Sequence, residues 1–161
     1  MNSTLLSPDG IKIEVKSAAY LQSWSQQHLS KINFSIKAAR YWDSLTNTQA
    51  ATPARHADVY IFCLLKHKDQ YSLDPMNLDQ WEFYVVATST INNYKRSQTS
   101  ITLQSLDKLT TPVTYDKLGL TIIDIDHNRR LYDAFSLVAE DREEVNTQYA
   151  IPAQCKVVTA E

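Results

Sequence analysis

The 161-residue sequence has only two glycines, only two cysteines and no apolar run close to the length of a membrane-spanning helix. About 20 consecutive apolar residues are needed to cross a bilayer, so no membrane span is expected. Cys63 and Cys155 offer neither a disulfide framework nor the spacing of metal ligands. The first residues lack the basic leader and apolar stretch of a signal peptide. A reducing cytoplasm is therefore the expected compartment.

An excess of positive charge is also missing, because 16 Lys and Arg residues stand against 18 Asp and Glu residues, for a net charge of -2. A DNA-binding protein with this balance needs a local basic patch. An enzyme that holds a metal ion also fits, since its acidic ligands offset basic residues. Length and a hydrophobic content of 43% predict one globular domain, residues 1–161, with a real core.

Apolar patterning predicts a domain rich in strands. The turn signal Ser7-Pro8-Asp9-Gly10 joins residues 4–6 to residues 11–17 as a hairpin. Clean alternation over residues 31–37 predicts a half-buried strand. Residues 58–65 are continuously apolar, which is typical of a central strand covered on both faces, and residues 80–87 form a further strand.

The last third of the sequence has a different character. Residues 120–126 are rich in β-branched side chains and predict another strand. Residues 130–146 carry apolar side chains at helical spacing and predict an amphipathic helix. The predicted fold class is α/β, with a core over residues 1–118 and a C-terminal helical extension over residues 119–161.

The strand Ile11–Ser17 carries an acid and a cation on one face. Side chains i and i+2 of a strand point the same way, so Glu14 and Lys16 are neighbours. Glu14 and the Val15 carbonyl offer oxygen ligands for Mg²⁺, while Lys16 would offset charge in a phosphodiester transition state. The alternative is an ordinary solvated pair, which is common on strands.

Three segments resemble one nuclease family. Residues 13–18, followed by residues 20–24, resemble the catalytic core of the PD-(D/E)xK superfamily, the restriction-endonuclease-like fold. Residues 57–63 and 80–85 resemble its sheet strands. The resemblance covers about residues 4–118 and implies a central mixed sheet flanked by helices, Mg²⁺ dependence and hydrolysis of DNA. It also implies a homodimer by analogy.

The family pattern assigns roles to individual residues. Glu14 matches the acidic metal ligand and Lys16 the catalytic lysine. Gln22 stands where some members keep a glutamine near the site. It would contact a phosphate or hydrogen-bond to a metal ligand.

One family element is missing, namely an aspartate on the strand that precedes Glu14. If Leu6 pairs with Ile11 across the turn, Ser3 lies opposite Glu14 with Thr4 beside it. Asp9 is roughly 16 Å from Glu14 along the strand at ~3.3 Å per residue, which is too far to share a metal. The expectation is that the sequence is truncated at its start or that catalysis is impaired.

Other acids are weaker candidates for the site. Asp58 opens the central strand, where a structural role is more common, and Glu82 is either solvated or within reach of Lys16. Asp124 and Asp126 would share one face of the predicted strand beside His127. Two alternatives to an enzyme stay open: a non-catalytic DNA- or protein-binding module of the same fold, and an unrelated β-rich domain with Glu14 and Lys16 facing solvent.

Overall fold

A computed structural model describes the main chain of residues 4–40, 42–43, 45–94 and 97–148. Side chains are described for residues 4–40, 42, 45–94 and 97–135. Cys155 and Ser3, both named above, lie outside these ranges.

The described chain contains short strands, three helices and one 3-10 turn. The strands are β1 (Thr4–Leu6), β2 (Lys12–Ala19), β3 (Asn33–Ser35), β4 (Trp42–Asp43), β5 (Thr48–Gln49), β6 (Val59–Leu65), β7 (Trp81–Ala87) and β8 (Ser100–Thr102). The helices are α1 (Thr88–Asn92), α2 (Leu103–Leu106) and α3 (Tyr115–Gln148), and the 3-10 turn is Leu78–Gln80.

Four strands form the central mixed sheet in the order β1-β2-β6-β7. β1 and β2 are antiparallel, β2 and β6 are parallel, and β6 and β7 are antiparallel. The prediction that residues 58–65 lie in the middle of the sheet is confirmed. Their unbroken apolar run exists because both faces of β6 are covered.

Each face of the sheet packs against its own layer. One face carries Tyr60, Phe62 and Leu64, and it is covered by side chains from the β3–β8 ribbon, α1 and α2. The other face carries Val59 and Ile61, and it packs against the first turns of α3. The protein is thus a mixed α/β structure whose central sheet is flanked by helices, as predicted.

The strand predicted over residues 120–126 is wrong, because this segment belongs to α3. Leu118, Ile122 and Ile125 are spaced to meet one side of a helix, and they pack against the sheet. This burial outweighs the β propensity of the Thr-Ile-Ile sequence. The helix predicted over residues 130–146 is confirmed as part of α3.

The chain divides into two compact units, residues 1–129 and residues 130–161. The first contains the sheet, its covering layers and the start of α3. The described main chain of the second, up to residue 148, is helical. Among the described residues, no helix combines the length and apolarity that a bilayer crossing requires.

Candidate active site

Glu14 and Lys16 form a close ion pair on β2. The Lys16 Nζ atom lies 2.6 Å from Glu14 Oε1, as expected for a charge-assisted hydrogen bond. The side chain of Glu14 is 8% exposed and that of Lys16 is 27% exposed. The pair therefore presents its cation to solvent and keeps its carboxylate inside.

The intervening residue points the other way, as strand alternation requires. Val15 is 41% exposed and its side chain lies on the opposite face of β2 from Glu14. A valine side chain is a hydrocarbon, so the backbone carbonyl is the group of Val15 that offers an oxygen ligand. The alternative in which both Glu14 and Lys16 face solvent is contradicted, because Glu14 is buried and β2 lies between β1 and β6.

Glu14 is buried beside a tyrosine of the central strand. Tyr60 is the register partner of Glu14 and is itself buried. Burial raises the pKa of the Tyr60 phenol, and the Glu14 carboxylate raises it further, while Arg55 opposes them. Tyr60 was not singled out from the sequence, because one hydroxyl inside a continuous apolar run looks like core.

Arg55 holds the layer that covers this face of the sheet. Its guanidinium donates to the Ile36 carbonyl at 2.8 Å, to Asn92 Oδ1 at 2.7 Å and to the Gln98 carbonyl at 3.0 Å. These bonds join the end of β3, the end of α1 and the segment before β8. No sequence motif predicted that Arg55 would link these three segments.

The β1–β2 hairpin differs by one residue from its predicted register, since Thr4 and not Ser3 pairs with Glu14. Ser7 pairs with Ile11, its N–H donating to the Ile11 carbonyl at 2.9 Å. Gly10, with φ of 79°, is the extra residue of a bulge. The bulge shifts every pair by one, so Leu6 meets Lys12 and a threonine hydroxyl faces the Glu14 position.

Gln22 belongs to a polar network after β2. Its Nε2 donates to the Ala19 carbonyl at 3.1 Å and to Ser30 Oγ at 3.2 Å, and its N–H donates to Gln26 Oε1 at 2.7 Å. These contacts fix the loop between β2 and β3. In the described part of the chain, Gln22 forms no hydrogen bond with Glu14 or Lys16.

A cleft of about 460 Å³ opens next to this network. It begins directly after Lys16 on β2 and is bounded on its other side by the segment that leads into β3. Its lining residues are Ser17, Ala18, Ala19, Gln22, Ser30, Lys31, Ile32, Asn33 and Trp81. We refer to it as the β2 cleft.

The other predicted acids do not join Glu14. Asp58 accepts a hydrogen bond from the Lys12 N–H at 2.9 Å and lies 3.5 Å from Arg129. Asp126, 4% exposed, pairs with Arg129 at 2.7 Å. The predicted placement of Asp124 and Asp126 on one strand face is wrong, because the segment is helical. Two residues two positions apart in a helix point to different sides, and Asp124 is exposed.

Glu82 forms an ion pair with Lys66 and not with Lys16. It lies 3.3 Å from Lys66 Nζ, and it accepts a hydrogen bond from the Tyr84 hydroxyl at 3.4 Å. This second Lys–Glu pair lies on the same sheet face as Glu14 and Lys16, two strands away. Within the described ranges, no three His, Cys, Asp or Glu residues gather as a metal site.

The fold and the site define a mixed α/β protein whose central sheet carries a close acid–cation pair, with the acid buried and the cation partly exposed. Such pairs suit the chemistry of phosphodiester cleavage, in which negative charge grows in the transition state. The model of the bacteriophage T4 endonuclease IV family matches residues 5–105, well over half of the chain. The chain therefore belongs to that family. No curated protein and no solved structure gives a significant match.

The matched segment includes the strand that carries Glu14 and Lys16. It also includes every lining residue of the β2 cleft and most of the covering layer, and it ends before α3. The family is one of endonucleases by its description. Membership in the PD-(D/E)xK superfamily stays a prediction from the resemblance above.

Proposed function

We propose that this protein is a Mg²⁺-dependent DNA endonuclease whose site is centred on Glu14 and Lys16. The observation that carries the proposal is their 2.6 Å ion pair on a covered face of the central sheet. Family membership supports the endonuclease class. The geometry supports the choice of residues.

Glu14 is the proposed carboxylate ligand, together with the Val15 carbonyl. Mg²⁺ commonly uses one or two protein carboxylates and completes its shell with water and substrate phosphate oxygens. One buried carboxylate therefore fits this ion. When bound, Mg²⁺ would supply charge neutralisation at the phosphate and a more acidic water.

Lys16 acts on the same phosphate. An ammonium has three donors, of which one is directed at Glu14. The partly exposed cation can donate the others to a phosphate oxygen and to the attacking water. Lys16 therefore orients the nucleophile and balances the charge that develops on the phosphate.

The site offers one carboxylate where the resembled nucleases use two. Thr4 stands opposite Glu14, and a neutral hydroxyl is a weaker ligand for Mg²⁺ than a carboxylate. We therefore expect catalysis to be impaired, with turnover slow even at saturating Mg²⁺.

A cleavage assay with a MgCl₂ titration tests this function. Supercoiled plasmid is incubated with the wild-type protein, with Glu14→Gln and with Glu82→Gln, each checked for folding by circular dichroism. We expect slow nicking that EDTA abolishes, and a loss of about 100-fold or more in Glu14→Gln. Glu82→Gln removes the matched carboxylate of the second Lys–Glu pair and should cleave like the wild type. Cleavage that survives EDTA or Glu14→Gln would overturn the proposal.

The second candidate is a non-catalytic DNA- or protein-binding module of the same fold. It is favoured by the Glu14–Lys16 contact itself, because a carboxylate already neutralised by an ammonium gains less from a metal ion. This candidate predicts no cleavage with any divalent ion tested, alongside DNA or protein binding that Glu14→Gln leaves intact.

A further inference from the structure

The β2 cleft adjoins the Glu14–Lys16 pair along β2. Its first lining residue, Ser17, follows Lys16 directly. Ala18 shares the strand face of Glu14 and Lys16, because strand side chains alternate. The volume of about 460 Å³ is within the range of ligand-binding clefts.

Ser30 presents a hydrogen-bond donor at this cleft. Its Oγ accepts from Gln22 Nε2 at 3.2 Å and from Gln26 Nε2 at 2.9 Å. A hydroxyl has two acceptor positions and one donor. Both acceptor positions of Ser30 are used, so its remaining capacity is to donate. A group that can only donate is suited to an anionic oxygen.

Lys31 and Asn33 add a cation and an amide. Both are exposed, line the cleft and flank the buried Ile32. Among the described side chains, Lys31 forms no salt bridge and Asn33 forms no side-chain hydrogen bond. The lining contains no acidic residue. The local charge is therefore positive, although the net charge of the chain is -2.

We infer that the β2 cleft binds the DNA phosphodiester backbone next to the bond that is cut. Lys31 is the cationic contact, and the Ser30 hydroxyl donates to a phosphate oxygen. Asn33 supplies a further neutral donor. The inference rests on the proposed function for the identity of the ligand, but it concerns binding and not the chemical step.

The chemistry of the lining favours the backbone over the bases. Lysine, serine and asparagine are among the usual donors to phosphate oxygens, and such contacts position the nucleic acid without carrying sequence information. Gln22 cannot offer its amide hydrogens to a base, because both are directed at Ala19 and Ser30. We therefore expect a contribution that is equal for all sequences.

DNA binding in EDTA, where cleavage does not interfere, tests the inference. Fluorescence anisotropy with labelled oligonucleotides of several sequences is recorded from 50 to 200 mM salt. Removing one phosphate contact in Lys31→Ala should weaken binding about threefold or more and lower the salt slope by about 0.7 to 0.9. Lys37→Ala is the matched control, because Lys37 is also exposed but lies outside the cleft lining.

A second pair of variants distinguishes the loss of the Ser30 hydroxyl from a general loss of structure as the cause of weaker binding. Ser30→Thr keeps the hydroxyl and should retain affinity, whereas Ser30→Ala should lose it. Unchanged affinity and salt slope in Lys31→Ala would overturn the inference, and so would weakening confined to particular sequences. Absence of DNA binding by the wild type would also overturn it.

The result of the cleavage assay is independent of the result of this binding assay. Wild-type binding with an unaffected Lys31→Ala variant defeats the cleft and leaves the endonuclease proposal standing. Salt-dependent weakening of DNA binding in Lys31→Ala, without any Mg²⁺-dependent cleavage by the wild type, supports the cleft and defeats the endonuclease proposal.

Discussion

Glu14 shows how one side chain can serve both the fold and the proposed chemistry. A buried carboxylate is costly unless it is paired, and Lys16 provides the partner at 2.6 Å. Removing Lys16 therefore leaves a buried charge as well as an altered site. A functional test on this pair needs a stability measurement beside it.

Burial of Cys63 on β6 changes the pKa of its thiol in a way that can be tested. Burial raises the pKa of its thiol from 9.0 to about 11. The folded state thus holds its proton more tightly than the unfolded chain does. Its contribution to stability is fully present below pH 9 and is lost as the pH rises towards 11.

Urea unfolding of the wild type and of Cys63→Ala between pH 8 and pH 11 measures this contribution. We expect the difference in unfolding free energy between the two proteins to shift against the wild type above pH 9. Tyr60 and Tyr84 also have raised pKa values, but they are common to both proteins and cancel. A difference that stays constant with pH would contradict the assigned burial effect.

Among the elements, strands with a complete local signal were predictable. The alternation of β2 correctly placed Glu14 and Lys16 on one face, and the apolar run of β6 correctly placed it centrally. The start of α3 was not predictable, since Ile122 and Ile125 follow tertiary packing and not their β propensity. The hairpin register depended on Gly10 adopting a bulge, which the turn sequence alone did not decide.

Under the proposed function, the corrected register makes Thr4 the position for a second carboxylate ligand. Thr4 pairs directly with Glu14, so Thr4→Asp should place an acid beside the proposed ligand. A second carboxylate would hold Mg²⁺ more firmly. We expect the cleavage rate to rise about tenfold, equivalent to about 1.4 kcal/mol of transition-state stabilisation.

Leu6→Asp is the control for this gain. Leu6 lies on the same strand face, two residues away, and pairs with Lys12. It adds the same charge at a position that does not face Glu14. Equal rates for wild type, Thr4→Asp and Leu6→Asp, with all three folded, would show that Thr4 is not the missing position.

Taken together, the layers of the protein explain why the site is partly hidden. The β3–β8 ribbon and the short helices cover the Glu14 face, and Arg55 ties three of their segments together. Sequence patterns identified the acid–cation pair but not Tyr60, Arg55 or Ser30. Their contacts are made with neighbours that are distant along the chain or within a loop network, and neither kind of contact leaves a periodic signal in the sequence.

Glu14 and Lys16 are proposed to carry out DNA cleavage together, and the single-turnover cleavage rate of Lys16→Ala tests this most directly. The rate is measured in MgCl₂ beside wild type and Lys66→Ala, which removes the lysine of the matched Lys66–Glu82 pair. We predict slow wild-type cleavage, a fall of about 100-fold in Lys16→Ala and no change in Lys66→Ala, all at temperatures where each variant is folded. Wild-type rates in a folded Lys16→Ala protein would contradict the account.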